Sequence, residues 1–201
     1  MRNFFSLILF STILVISGCN TANQKSSTHN SSQPAANKVI MGPGYELNLV
    51  QIQLLDPKPL KIAWDKPDTN PNVKRLTITS TGPGGAFPFV YEIISSTTPP
   101  KGEVLETISN SLDGKEGIIL KTIKSNQKIG KHLHYYHRQN KNGKPHRVSS
   151  NYLFVKNNIF YHVSGTSYGA AAFAKQEWGA PKPDGNAEAA ASEVLKNIKF
   201  K

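Results

Sequence analysis

Two turn signals, Asn142-Gly143 and Asn157-Asn158, divide the stretch from Lys131 to Gly165 into three runs of alternating aromatic, β-branched and polar residues, and this pattern constrains the fold more than any other feature. It predicts strands over Lys131 to Asn140, His146 to Val155 and Ile159 to Gly165, joined as an antiparallel meander. Centring the turns on the two pairs sets the register: 135 opposes 150, 133 opposes 152, 155 opposes 160 and 153 opposes 162. One face then carries Leu133, Tyr135, Val148, Tyr152, Phe154, Tyr161 and Val163. The other carries His132, His134, Tyr136, Leu153, Val155, Phe160 and His162. Apolar side chains on both faces near Tyr152 to Val155 call for cover on both sides, which helices must supply.

Two helices are available. Thr98 suits a cap and Pro99 a first helical position, and Val104, Leu105, Ile108 and Leu112 fall on one face behind them. Near the C-terminus Asn186 can cap a helix whose stripe is Ala187, Ala190, Ala191, Val194, Leu195 and Ile198, running to Phe200. Upstream, Tyr45 to Leu55 and Lys61 to Trp64 read as strands. Val73 to Ser80 and Phe87 to Ser95 form a hairpin around Gly82-Pro83-Gly84-Gly85. Thr166 to Gly185 includes a short Ala-rich helix over Ala170 to Glu177, followed by a Pro- and Gly-containing loop. No internal repeat is visible.

The chain opens with Arg2, thirteen mostly apolar residues from Phe4 to Ile16, then Ser17-Gly18-Cys19. That is the layout of a secretory signal, and it is shorter than the roughly 20 apolar residues needed to span a bilayer. Ile16-Ser17-Gly18-Cys19 resembles the lipobox of bacterial lipoproteins. The resemblance implies cleavage between Gly18 and Cys19, diacylglycerol on the Cys19 thiol and an acyl chain such as palmitate on the new amino terminus. More than one chain is what stable anchoring requires. The expected organisation is a signal peptide over residues 1–18, a lipidated cysteine and disordered tether over 19–38, and a single domain over 39–201. The tether is Asn-, Ser-, Thr- and Gln-rich with no large apolar residue, so it cannot offset the entropy of ordering. Its root-mean-square reach is roughly 25 Å. Asn20 after the cysteine, by resemblance to lipoprotein sorting, implies an outer-membrane address facing the periplasm in a double-membrane cell. In a single-membrane cell the domain faces outward from the plasma membrane.

Cys19 is the sole cysteine, so no disulfide forms within the mature chain and the core must hold the fold. Lys and Arg number 24 against 13 Asp and Glu. For an exported protein the polyanions within reach are lipid headgroups and envelope glycans, so nucleic acid is not expected as a partner.

The element order is strands, a helix, a long meander and a terminal helix. With Ile129-Gly130-Lys131 opening the meander, the run from Leu153 to Val163, and the Asn197-Ile198-Lys199-Phe200 ending, the region from Glu103 to Phe200 resembles the domain shared by the photosystem extrinsic protein PsbP and the DcrB-type bacterial lipoproteins. The resemblance implies an α+β fold, an antiparallel sheet covered by helices as an α/β/α sandwich, and a non-enzymatic accessory or binding role at a membrane.

Four motifs bear on chemistry. Gly165-Thr166-Ser167-Tyr168-Gly169 has the spacing of a nucleophile elbow, but that elbow belongs to a largely parallel sheet and needs a histidine after the serine. His162 is the last histidine in the chain, so the glycines read as the strand's exit turn and no catalytic residue is assigned. His132 and His134, at i and i+2 on a strand, can share a metal ion. His137 has the opposite parity, and His162 lies two strands from His132, roughly 9.6 Å by strand spacing. From Lys115 to Arg147 nine basic residues face one acid, Glu116. Of these, Lys121, Lys124, Lys128, Lys131, Arg138, Lys144 and Arg147 are the candidate surface for an envelope protein or an anionic glycan or lipid. Gly82-Pro83-Gly84-Gly85 lacks the Lys-Ser/Thr of a phosphate loop and reads as a hairpin loop. No cofactor is expected beyond the lipid on Cys19. The expected protein is a lipid-anchored envelope domain that binds and does not catalyse; the alternative is a periplasmic metal-binding protein using the strand histidines.

Overall fold

The computed structural model describes residues 39–49, 61–65, 70–81, 88–98, 102–142, 144–168 and 185–201. The signal, lipobox and tether lie outside the described residues. So do the end of the Tyr45 to Leu55 run, the Gly82-to-Gly85 loop and the Ala170 to Glu177 helix.

Among the described residues the chain forms an α+β fold with two antiparallel sheets. The larger has seven strands: β3 (Lys61–Asp65), β4 (Val73–Thr81), β5 (Pro88–Ser96), β6 (Ile118–Asn126), β7 (Gly130–Lys141), β8 (Lys144–Lys156) and β9 (Ile159–Tyr168), in the spatial order β3-β4-β5-β9-β8-β7-β6. The smaller joins β1 (Val39–Gly42), β2 (Tyr45–Asn48) and β10 (Ile198–Phe200) in the order β1-β2-β10. Helices α1 (Val104–Ser111) and α2 (Gly185–Asn197) pack on opposite faces of the larger sheet.

Each cover follows from its stripe. Val104, Leu105, Ile108 and Leu112 bury against Leu133, Tyr135, Leu153 and Phe160 on the α1 side. Ala190, Val194 and Leu195 join Leu76, Tyr91, Ile93, Phe154, Tyr161 and Val163 on the other, where Tyr45, Leu47 and Ile198 of the small sheet complete the core. Tyr161 stacks on Phe154 at 5.3 Å between centroids, meets Tyr45 and Phe200 edge-on, and donates its hydroxyl to Pro43 O at 3.0 Å. Burial holds that phenol protonated, raising its pKa to about 12.

Four expectations need correction. The first concerns register. The β8–β9 pairing is as expected, with Val155 opposite Phe160 and Leu153 opposite His162. In β7–β8, however, Tyr135 opposes Asn151 and Leu133 opposes Leu153, one residue away from the expected pairs. Lys141 opposite Lys144 and Asn140 opposite Pro145 do follow from the turn, but the next pair is Gln139 with Arg147, so His146 is the extra residue of a bulge. Pro145 has no amide hydrogen to give the ladder, which is why the strand slips there. A one-residue slip turns every side chain of β7 over relative to β8. His132, His134 and Tyr136 therefore share a face with Tyr152, Phe154, Tyr161 and Val163, and His162 lies on the opposite face.

Second, α1 begins at Val104, not behind Thr98-Pro99. Gly102 at φ 81° turns the chain immediately before it, and Glu103 at the N-cap makes no side-chain capping bond. Third, the terminal helix stops at Asn197. Ile198, Lys199 and Phe200 alternate inward and outward with period two and pair with Leu47, Glu46 and Tyr45. Fourth, Gly165 is not an exit turn, because β9 continues to Tyr168. Strands β1 and β6 were not foreseen.

Candidate functional site

The seven candidate basic residues do not form one surface. Lys124, Lys128 and Lys131 cluster around the β6–β7 turn, whereas Arg138, Lys144 and Arg147 sit toward the β7–β8 turn. His132 and Arg138 are six strand positions apart, roughly 20 Å at about 3.4 Å each. Several of the cations also have intramolecular roles. Lys131 pairs with Glu106 of α1, and each holds the other's charged form, lowering the carboxyl pKa and raising that of the amine. Lys121 reaches Asp113 and the Ser109 carbonyl at 2.7 Å behind α1. Lys128 donates to Lys196 O at 2.7 Å, a cation at the carbonyl end of α2. The guanidinium of Arg147 lies 5.7 Å over the Tyr168 ring. Lys124 stays exposed and makes no ion pair among the described residues.

Lys121 and Lys124 belong to β6, the outermost strand at its edge among the described residues. Leu120 and Ile123 on the same strand are 46% and 36% exposed. Leu120 at φ 51° marks a second bulge, where the pairing with β7 shifts between Ile119 and Thr122. Bulges and lysines are the usual guards of an edge strand, and here they frame two exposed apolar side chains.

His132 and His134 lie on the α2 side, both buried. The His134 ring stacks on Tyr152 at 4.2 Å, meets Tyr136 edge-on at 4.8 Å and bonds Ser150 Oγ through Nε2 at 3.0 Å. His132 bonds Gly130 O through Nδ1 at 2.9 Å. Burial pushes the His134 imidazole down to about 4, with Glu188 opposing and His132 and Lys124 adding to the effect. Burial also raises Tyr136, whose hydroxyl bonds Glu188. Burial therefore keeps the His134 imidazole neutral at physiological pH within this polar and aromatic cluster. Among the described residues no group of three His, Cys, Asp or Glu gathers around a point that could hold a metal.

On the α1 side, beyond that helix, lies a buried polar network. The Asn151 amide nitrogen donates to Ser149 O, Ser149 Oγ and Tyr135 O at 3.2, 3.1 and 3.5 Å, so its oxygen is the acceptor for His162 Nε2 at 3.0 Å. His162 is 3% exposed, and burial followed by the nearby Arg75 charge lowers its pKa to about 4.

An open cleft of about 580 Å³ lies between the small sheet and the β3–β4 edge, lined by Met41, Trp64, Asp65, Pro71, Asn72 and Lys74 among others. Met41 and Trp64 are 54% and 46% exposed. Sequence reasoning missed it, because residues more than twenty positions apart meet there only through the small sheet. An unexplained tryptophan at the end of a short strand was the available signal.

The fold and its sites define an α+β domain of the helix–sheet–helix class. No family model and no curated protein sequence matches the chain. Among solved structures it is similar to a cyanobacterial PsbP (CyanoP) from Synechocystis, at 10% identity and a TM-score of 0.48, covering 87% of this chain and 98% of that one. It is also similar to LpqN of Mycobacterium tuberculosis, described as involved in cell envelope biogenesis, at 12% identity and a TM-score of 0.40, covering 73% and 86%. A Bacteroides thetaiotaomicron crystal structure matches at 11% identity and a TM-score of 0.47 over 82% of this chain. The chain spans about half, 48%, of that protein's length. No helix among the described residues is long and apolar enough to cross a membrane.

Proposed function

We propose that this is a bacterial envelope lipoprotein, held in the membrane by acyl chains on Cys19, whose domain is an accessory module that docks a partner and catalyses nothing. The β6 edge carries the reading. It offers an extended backbone, two exposed apolar side chains at Leu120 and Ile123, and the exposed cation of Lys124. Such an edge accepts an extended segment of another protein by strand addition, with main-chain bonds giving affinity and charge setting selectivity. An acidic segment is the complementary partner for a chain with net charge +11. Arg138, Lys144 and Arg147 belong to β7 and β8 toward their connecting turn and are not needed for it.

In-cell cross-linking of the intact lipoprotein, followed by mass spectrometry, tests this. A dominant protein partner is expected. Lys124→Glu should weaken its capture roughly tenfold, equivalent to about 1.4 kcal/mol, and added salt should do likewise. Equal capture by wild type and Lys124→Glu, or recovery of envelope glycan alone, would remove the edge-docking reading.

A further inference from the structure

The lipid anchor proposed above fixes where the chain enters the domain, and this inference rests on that reading. Val39, 20 positions after Cys19, is the first residue of β1. Val39 and Met41, alternate positions of that strand, are 53% and 54% exposed on the outer face of the small sheet. The inner-facing Ile40 is buried in the core. Trp64 lines the same cleft as Met41. Thus three of the six large exposed apolar residues among those described collect at the point where the chain arrives from its anchor.

The charges beside them have one sign to spare. Lys199 stands next to Glu46, which itself opposes Met41, so both lie on the outer face. Glu46 is paired with Lys201 at 2.7 Å and Asp65 with Arg75 at 3.6 Å, while Lys74 lines the cleft and Lys199 points outward. Tryptophan and methionine beside outward lysines is the composition of a surface that rests at the boundary of hydrocarbon and headgroup, where indole rings concentrate and lysines meet anionic lipid. The acyl chains make even a weak contact effective. Cys19 lies only 20 positions before Val39, so the anchor proposed above holds the domain near the bilayer at an effective concentration on the order of millimolar.

We infer that the face formed by Val39, Met41, Trp64, Lys74 and Lys199 lies on an anionic bilayer surface, so that the anchored domain is held in one orientation. Among the described residues, strands β3 and β6 are the two edges of the seven-stranded sheet, six spacings or roughly 29 Å apart. With the β3 edge on the membrane, the β6 edge is presented outward to partners.

The test uses the full lipidated protein reconstituted in vesicles of phosphatidylethanolamine and phosphatidylglycerol with brominated acyl chains. Cys19 is acylated, so an environment-sensitive dye attaches only at Met41→Cys or, in a second sample, at Ile123→Cys on the far edge. Flotation of the vesicles reports the anchor independently. The expected result is that both samples float, the dye at 41 shifts to the blue and loses most of its emission to the brominated lipid, and the dye at 123 emits as in water. If both float but position 41 behaves like 123, the orientation is overturned while the anchor stands. A blue-shifted dye at 41 that brominated lipid does not quench assigns the face to a protein and overturns the inference as well. Failure to float removes the anchor and this inference together.

Discussion

Gly165→Ala is expected to destabilise the domain by roughly 3 kcal/mol, the upper part of the range for overpacking a filled core. A Cβ at this position would lie 2.4 Å from Ala191 N and 2.7 Å from both Ala187 O and the Ala190 side chain. Two of those three atoms are backbone, so no side-chain rotation relieves the clash. Either α2 lifts off β9 or the strand bends. The helix comes that close only because Ala187, Ala190 and Ala191, all wholly buried, present no more than methyl groups to the sheet. A fall in urea midpoint at unchanged m-value is the readout. Gly114→Ala is the comparison: nothing lies within 4 Å of its added Cβ, and only the left-handed φ of 69° is strained, at a cost of about 1–2 kcal/mol. Equal losses in the two variants would show that α2 yields easily and that its packing on Gly165 matters little.

That glycine also shows what a sequence can and cannot reveal. Gly165-Thr166-Ser167 reads as a strand's exit because glycine and serine are common in turns, yet here the glycine serves helix–sheet contact in mid-strand and Ser167 is buried. The two stripes, Val104-Leu105-Ile108-Leu112 and Ala187-Ala190-Ala191-Val194, were legible because a 3.6-residue period needs no knowledge of the partner surface. The sandwich followed from them and from the two-sided burial of β8. Register was legible only as far as the turn controlled it. Pro145 one residue into the strand was the available sign that the ladder would slip, and the slip moved His162 to the face opposite His132 and His134. Strand β6 escaped notice because it is mostly exposed at the sheet edge, and its bulge at Leu120 interrupts whatever alternation it has. The cleft at Met41 and Trp64 depends on the pairing of β1 and β10 with β2, contacts too distant in sequence for any local pattern to carry.

The second large effect is acid sensitivity. His162 is buried with a pKa lowered from 6.5 to about 4, and in the unfolded chain it returns to 6.5. Between those values the unfolded state holds a proton that the folded state refuses, so stability rises with pH through the window and falls as pH drops from about 6.5 toward 4. At 1.36 kcal/mol per pKa unit, His162 alone accounts for about 3 kcal/mol of that loss. His134 titrates over the same range and adds to it, because its pKa is also lowered to about 4. The carboxylates held down by Lys201 and Lys131, Glu46 and Glu106, act in the same direction but only below their ordinary pKa of 4.5. Urea denaturation at pH 7 and pH 5 therefore isolates the histidines. His162→Gln retains an N–H donor for Asn151 and removes one titrating group, so it should lose about half of the pH dependence while folding at pH 7. His134→Gln should remove much of the rest and leave the Asn151 network untouched. An undiminished difference between pH 7 and pH 5 in His162→Gln would mean that this imidazole is protonated in the folded domain, with Arg75 and burial failing to exclude the charge.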